Sequence, residues 1–230
     1  MQQSDFSLVE KMNITCDAIL ANQTDHNAVS EQVYPFGTVR MISTDTRGVG
    51  INRNTALDAA EAEFVLFADD DVTYADGMPE RLLSEFAAHP DADVLIFGID
   101  YTKNGVVIER RRPGSRRRHL WNAMRFGAAV TAVRLRAVRD AGIRFSPYFG
   151  GGCLYCAGED TLFLRDCLRS GRKVYSTDTV LGTSRKDTST WFTGCNEKYF
   201  YDKGALMNYL FPHVRHLAAL YFACLLYTSD

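Results

Sequence analysis

Residues Phe64-Val65-Leu66-Phe67-Ala68-Asp69-Asp70-Asp71 set four large apolar side chains and an alanine directly ahead of three consecutive carboxylates. A short apolar run without polar alternation predicts a buried parallel strand. Three adjacent like charges repel one another, and burying them without a counter-charge is costly. The pattern therefore predicts a strand whose carboxyl end opens into a crevice, the place where open α/β sheets hold their ligands. There the carboxylates would meet a divalent cation. Hard oxygen donors select Mg²⁺ or Mn²⁺, ions that usually also hold substrate phosphates. A solvated acidic turn, or a helix N-cap ahead of Pro79-Glu80-Arg81, accounts for the same residues and stays open.

Working outward, the pattern is strand–helix–strand first and hairpin later, which predicts an α/β domain with a mostly parallel sheet and an antiparallel extension. Upstream, Ser7 can cap a short helix over Leu8 to Met12. Strands are expected near Cys16 to Ala21, ending in Asn22-Gln23-Thr24-Asp25, and near Thr38 to Ser43. Arg47-Gly48-Val49-Gly50-Ile51-Asn52-Arg53-Asn54 reads as a glycine-containing loop feeding a helix from about Thr55 to Ala62. Such a loop lets backbone approach a ligand, and a helix N-terminus favours anions, although neither a Walker loop nor G-x-G-x-x-G is present.

Downstream, Met78 to Ala88 reads as an amphipathic helix with Leu82, Leu83 and Phe86 inward, stopped by Pro90. Val94 to Ile99 is a buried strand, and Asn104-Gly105 suits a type I′ turn between Tyr101 and Val106-Val107-Ile108. A further strand is expected over Phe126 to Val133, a helix over Leu135 to Ala141, and another strand at Lys173 to Ser176. Phe149-Gly150-Gly151-Gly152-Cys153-Leu154-Tyr155-Cys156-Ala157-Gly158 then delivers Glu159-Asp160 to the start of a helix, Thr161 to Arg169. The helix dipole alone favours acidic residues in a first turn. A carboxylate held there could instead take a proton from a hydroxyl nucleophile. Trp191, ahead of a helix from about Asn196 to Leu210, could stack on a sugar face or be core.

At 230 residues, 46% apolar and 23% charged with a net charge of −2, the chain has the size and composition of one globular domain. The charge gives no bulk argument for nucleic acid or a membrane surface, and no nucleic-acid partner is expected. Six cysteines, at 16, 153, 156, 167, 195 and 224, have no signal peptide ahead of them and read as reduced thiols of a cytoplasmic protein. The single Cys153-x-x-Cys156 has no second pair for zinc and reads as small residues in a glycine-rich loop. No window reaches the ~20 apolar residues of a spanning helix. Residues 109–118 hold six arginines around a Pro-Gly break, a solvated loop, an electropositive flap over a phosphorylated or anionic substrate, or a nucleic-acid contact, the last without the aromatic interleaving or module such a contact usually has.

Taken together, Arg47-Gly48 with Arg53-Asn54-Thr55-Ala56-Leu57, Asp69-Asp70-Asp71, Gly158-Glu159-Asp160 and Ser189-Thr190-Trp191 resemble, in order and spacing, the family 2 glycosyltransferases, inverting enzymes with the GT-A (Rossmann-like) fold. The likeness covers roughly residues 5–210. It implies a nucleotide-sugar donor, with UDP the commonest carrier, a glycan or glycolipid acceptor, and a divalent metal, Mn²⁺ or Mg²⁺. Carried over, Asp69 and Asp71 look like the metal-binding D-x-D pair, with Asp70 toward the ribose or nucleotide. Asp160 looks like the catalytic base supported by Glu159. Asp25, Arg47, Arg53 and Asn54 look like donor contacts, and Trp191 an acceptor contact. Residues 1–210 would form the GT-A domain, with a nucleotide half to about 100 and an acceptor half beyond. Residues 211–230 would add an apolar helix. The resemblance places the protein in surface-polysaccharide biosynthesis in the cytoplasm, with the arginine loop and C-terminal helix as candidate contacts at the inner face of the membrane.

Three departures stand out against that pattern. The family's first strand has no counterpart, so residue 1 falls just past it, and a truncated fragment with an opened sheet is expected. Leu181-Gly182-Thr183-Ser184 carries no His for the metal, and the end at Cys224 to Asp230 lacks a cap. Two other classes remain: a metal-dependent phosphatase or nucleotidyltransferase, which Asp69-Asp70-Asp71-Val72-Thr73 fits loosely, and a non-catalytic or inactive glycan- or nucleotide-binding relative.

Overall fold

The chain is described by a computed structural model over residues 3–186, 196–218, 220 and 224. In chain order the elements are α1 (Leu8–Lys11), β1 (Ala18–Gln23), β2 (Ala28–Tyr34), β3 (Gly37–Thr44), α2 (Val49–Ala59), β4 (Phe64–Leu66), β5 (Val72–Tyr74), α3 (Met78–Ala88) and β6 (Val94–Lys103). There follow β7 (Val106–Arg111), β8 (Arg116–Arg117), α4 (Leu120–Ala123), a 3₁₀ turn at Ala128–Val130, β9 (Thr131–Arg134), α5 (Leu135–Asp140), α6 (Glu159–Arg169), β10 (Val174–Arg185) and α7 (Glu197–Leu210). No helix among the described residues is long and apolar enough to cross a membrane.

The strands form two mixed sheets. The larger runs β4-β9-β6-β10-β5, with β7 added to β6 and β8 to β10; the smaller runs β1-β3-β2. Alternation along the strands builds a core on each face, because successive side chains point to opposite sides. On β6, Leu95, Phe97 and Ile99 enter one apolar cluster, with Leu82 and Phe86 of α3. Val94 and Ile96 enter the other, with Leu57 of α2, Val138 of α5 and Phe163 of α6. On β1, Leu20 joins the first cluster and Ile19 packs against the second, so the smaller sheet continues the central layer. The result is helix, sheet, helix, the expected α/β architecture.

Within that class the pairing is more antiparallel than the sequence pattern implied. β1/β3 and β6/β10 are parallel. The strand ahead of the acidic triplet, expected to be parallel and buried, pairs antiparallel with β9 over three half-buried residues. Among the described residues it pairs on that side alone, as one end of the larger sheet with β5 at the other, and β1 and β2 are likewise the two ends of the smaller sheet. What anchors the strand is its first ring: Phe64 stacks on Phe86 of α3 at 4.0 Å between centroids, with the Arg134 guanidinium 4.8 Å from the Phe64 ring.

Several local expectations hold in detail. α3 begins at Met78 and ends at Ala88, with Pro79 in its first turn, where a missing N–H costs nothing. The hairpin turns on Asn104 (φ 50°) and Gly105 (φ 77°), the paired positive angles of a type I′ turn. Others are corrected. Leu83 is 53% exposed, because the buried stripe of α3 is Met78, Leu82 and Phe86, spaced four apart, and Leu83 lies about 100° round the helix from Leu82. β2 was not anticipated; as an exposed edge strand with Val29 and Val33 facing out it lacks the buried alternation that announces a strand. The helix expected from Thr55 starts six residues earlier at Val49, so Arg53 and Asn54 stand on a helix, not a loop.

Candidate active site

Arg53 brings together carboxylates from distant parts of the chain. Leu57 of α2 is buried in the core, and Arg53, one turn earlier, projects from the same helix, with its guanidinium 5.3 Å from the Phe145 ring. That ring stacks on Phe163 at 4.2 Å, and Phe67 meets both edge-on, giving a rigid aromatic floor. From this platform Nη2 donates to Asp69 Oδ1 at 2.8 Å, and Nη1 donates to Glu159 Oε1 at 3.0 Å and Asp160 Oδ1 at 2.8 Å. The Arg53 side chain is 10% exposed. Burial alone would lower its pKa, but Asp160, Asp69 and Glu159 outweigh that and raise it above the usual arginine value.

Glu159 and Asp160 open α6. Gly158 precedes them at φ 121°, a conformation strained for any L side chain, and a Cβ there would sit 2.7 Å from Leu206 of α7. The glycine thus lets α7 close against the start of α6. Glu159 Oε2 accepts from the Gly158 N–H at 3.2 Å, which holds this carboxylate between backbone and Arg53. Asp160 lies beside Gly127, whose hypothetical Cβ would be 3.3 Å from Oδ2, and it accepts a backbone hydrogen bond from Ala128. Burial pushes the Asp160 pKa up to about 7; Arg53 and the Ala128 N–H pull it down, while Glu159 and Asp69 push it further up. A carboxylate with a proton affinity near neutrality can act as a base or an acid at physiological pH.

Two carboxylates of the triplet beyond β4 turn to different partners. Asp69 turns to Arg53 and keeps 45% of its side chain exposed. Asp71 accepts from Ser184 Oγ of β10 at 3.2 Å, and its main-chain carbonyl accepts from the Arg185 N–H. Burial, then repulsion from Asp69, raises the Asp71 pKa; Ser184 partly offsets this and Asp70 adds to it. Among the described residues no group of three His, Cys, Asp or Glu side chains is arranged to hold a metal ion.

Of the other expected site residues, Asp25, Arg47 and Asn54 are described and differ in their contacts. Asp25 follows β1 at 86% exposure and pairs with His26 Nδ1 at 2.9 Å, an interaction that, with Arg47 nearby, holds its pKa below the usual carboxylate range. Arg47 is exposed just before α2. Asn54 is diverted: its Nδ2 donates to the Phe145 carbonyl and its Oδ1 accepts from the Phe145 N–H, both at 2.9 Å. Through both ends of its amide it braces the aromatic floor. Trp191 and its neighbours Ser189 and Thr190 lie outside the described residues. Cys153 and Cys156 are half-buried, unbonded thiols. Ser184, Gly127-Ala128 and Phe145 were missed; a serine in a strand, two small residues and one phenylalanine carry no sequence signal until the fold sets them beside the carboxylates.

The layered α/β fold, with an acidic strand end and a second acidic pair at a helix start joined through Arg53, is a GT-A fold. The Glycosyl transferase family 2 model matches residues 19–149, and the chain belongs to that family. Among solved structures, Staphylococcus aureus TarS residues 1–349 in complex with UDP-GlcNAc has a similar fold, with TM-score 0.56, 20% identity, and coverage of 74% of this chain and 49% of that one. The same TarS segment in complex with UDP matches at TM-score 0.54 and 21% identity, over 74% and 47%. The chain thus spans about half the length of these relatives. No curated protein matches its sequence.

Proposed function

We propose that the chain carries the donor and catalytic part of an inverting glycosyltransferase, moving a sugar from a nucleoside diphosphate sugar to a hydroxyl of a glycan or glycolipid. The observation that carries this reading is the Arg53 hub, whose two terminal nitrogens join Asp69 of the acidic triplet to the Glu159-Asp160 pair. The like-folded TarS structures with UDP-GlcNAc and UDP favour UDP as the carrier. Family membership weighs against the phosphatase and nucleotidyltransferase alternatives.

In this reading Asp160 accepts the proton of the acceptor hydroxyl while that oxygen bonds to the anomeric carbon. The bond from that carbon to the diphosphate oxygen breaks on the opposite face, so configuration inverts and the nucleoside diphosphate leaves with the electron pair. Arg53 and the Gly158 N–H orient Glu159, and Arg53 and Ala128 orient Asp160. Asp69 Oδ2 and Asp71 are hard oxygen donors, burial and then repulsion from Asp69 raise the proton affinity of Asp71, and this chemistry fits Mg²⁺ or Mn²⁺. Such an ion, held by these two carboxylates and by substrate oxygens, would neutralise charge gathering on the leaving diphosphate. Asp70, Asp25 and Arg47 would contact the nucleotide, and Trp191 the acceptor. Action in the cytoplasm, at the inner membrane face, accords with a lipid-linked acceptor.

Calorimetric titration of UDP into the chain, with Mn²⁺ and then with EDTA, tests the donor site. Metal-dependent binding that Asp71→Ala abolishes is the expected outcome. Binding indifferent to both EDTA and Asp71→Ala would overturn the metal assignment, and no binding by the folded chain would overturn the UDP donor.

A further inference from the structure

Six arginines between residues 110 and 118 are not used by the reaction above. β8 pairs with β10 through Arg117 and Tyr175, and the Arg118 N–H donates to the Val174 carbonyl at 2.7 Å, which fixes this segment on the sheet. There it forms, with the C-terminal end of α6, a cavity of about 230 Å³ lined by Arg117, Arg118, His119, Arg169 and Arg172, with no carboxylate among the described residues of its wall. A water takes about 30 Å³ of liquid, so the space admits a group much larger than one solvent molecule. It lies at the opposite end of α6 from Glu159 and Asp160. With 1.5 Å of rise per residue, the two ends of the helix are about 15 Å apart.

Arg118 is the unusual member. It is wholly buried, 0% exposed, yet its contacts are neutral: Nε donates to Ser176 Oγ at 2.7 Å, Nη2 donates to the Pro113 and Gly114 carbonyls, and the guanidinium stands 5.0 Å from the Phe126 ring. Among the described residues its buried Nη1 has no hydrogen-bond partner, and neither has the buried Nε of Arg172 in the same wall. Buried cations are normally paired, and buried N–H groups normally find an acceptor. Burial, then the neighbouring Arg116 and Arg125, pushes the Arg118 pKa below its usual value; Asp178 opposes them. The nearby acids are engaged elsewhere, Asp178 with the Gly114 N–H and Asp93 with the Lys173 N–H. The α6 carbonyls, which would repel an anion, accept from Ser170, Gly171 and Arg172 N–H groups.

We propose that this cavity is a second anion site, separate from the donor site, that binds a phosphate group through Arg118 and Arg172. Guanidinium forks match the oxygens of phosphate, and such charge-assisted bonds would give both unpartnered nitrogens an acceptor. The phosphate can belong to a soluble phosphorylated ligand or to a lipid headgroup. Inorganic phosphate titrated calorimetrically into the full chain, and cosedimentation with phosphatidylglycerol-containing against pure phosphatidylcholine vesicles, test and sort the two. Arg118 also holds the Pro113–Gly114 turn, so Arg118→Gln can fail to fold and Arg172→Gln carries the experiment, with thermal unfolding as control.

Phosphate binding that Arg172→Gln weakens at least ten-fold is the expected result. If anionic-vesicle binding falls with it, the site takes a headgroup; if only soluble phosphate binds, it takes a soluble ligand. Absence of both, or binding that Arg172→Gln leaves unchanged, overturns the proposal. The comparison is between wild-type and variant for phosphate itself, so its outcome does not depend on whether UDP binds.

Discussion

Replacing Arg53 with methionine keeps an apolar stem over Phe145 but removes the cation shared by Asp69, Glu159 and Asp160. Removing one partner of a buried ion pair costs about 3–5 kcal/mol, because the other charge is left uncompensated. Asp69 is 45% exposed and its share is screened by solvent to about 0–1 kcal/mol. Glu159 and Asp160, at 12% and 25% exposure, carry most of the effect. The expected loss at pH 8 is therefore about 2–4 kcal/mol. With a urea m-value of about 3 kcal/mol per molar, the midpoint falls by about 1 M.

The effect should depend on pH in a defined direction. The folded-state pKa of Asp160 is raised to about 7, so its contribution to stability is complete below the unfolded carboxylate range and is lost as pH rises through about 7. At pH 5 Asp160 is largely protonated and needs Arg53 less, so the cost of Arg53→Met should fall to about half. Urea denaturation of both chains at pH 5 and pH 8, followed by circular dichroism, measures this. An equal loss at the two pH values would refute the claim that Arg53 is there to compensate these carboxylates.

Asp160→Asn is expected to retain UDP affinity while lowering the transfer rate by about 10²–10⁴, the usual range for a general base; full transfer rates would remove Asp160 from that role. Asn54→Ala should destabilise the chain by about 1–3 kcal/mol by leaving the Phe145 N–H and carbonyl unpaired. Its UDP affinity, measured by the same titration, should stay within about two-fold of wild type, and a collapse of affinity in a folded variant would place Asn54 in the donor site.

Much of the fold was legible because it is written in local rules. The bounds of α3 follow from Pro79 at its start and Pro90 beyond its end, the hairpin follows from Asn104-Gly105, and the core face of β6 from an unbroken apolar run. The acidic residues of the site were legible for the same reason: three carboxylates at a strand end, and two at a helix start behind glycines, are unusual enough locally to be noticed. What the sequence by itself determined is thus the layered α/β class, the candidate carboxylates, and the family they resemble.

Which of these residues touch was decided only by the tertiary structure. Arg53 finds Asp69 16 residues away and Glu159 and Asp160 more than 100 away, a meeting that no periodicity encodes. Its neighbour Asn54, equally polar and equally well placed in sequence, turns to the Phe145 backbone, since adjacent helical residues point about 100° apart. The direction of β4 likewise depended on β9, 65 or more residues downstream, arriving antiparallel beside it. Local propensity acts over a turn or a pleat, whereas ion pairing and strand pairing act through space, and only the packed chain brings their partners within reach.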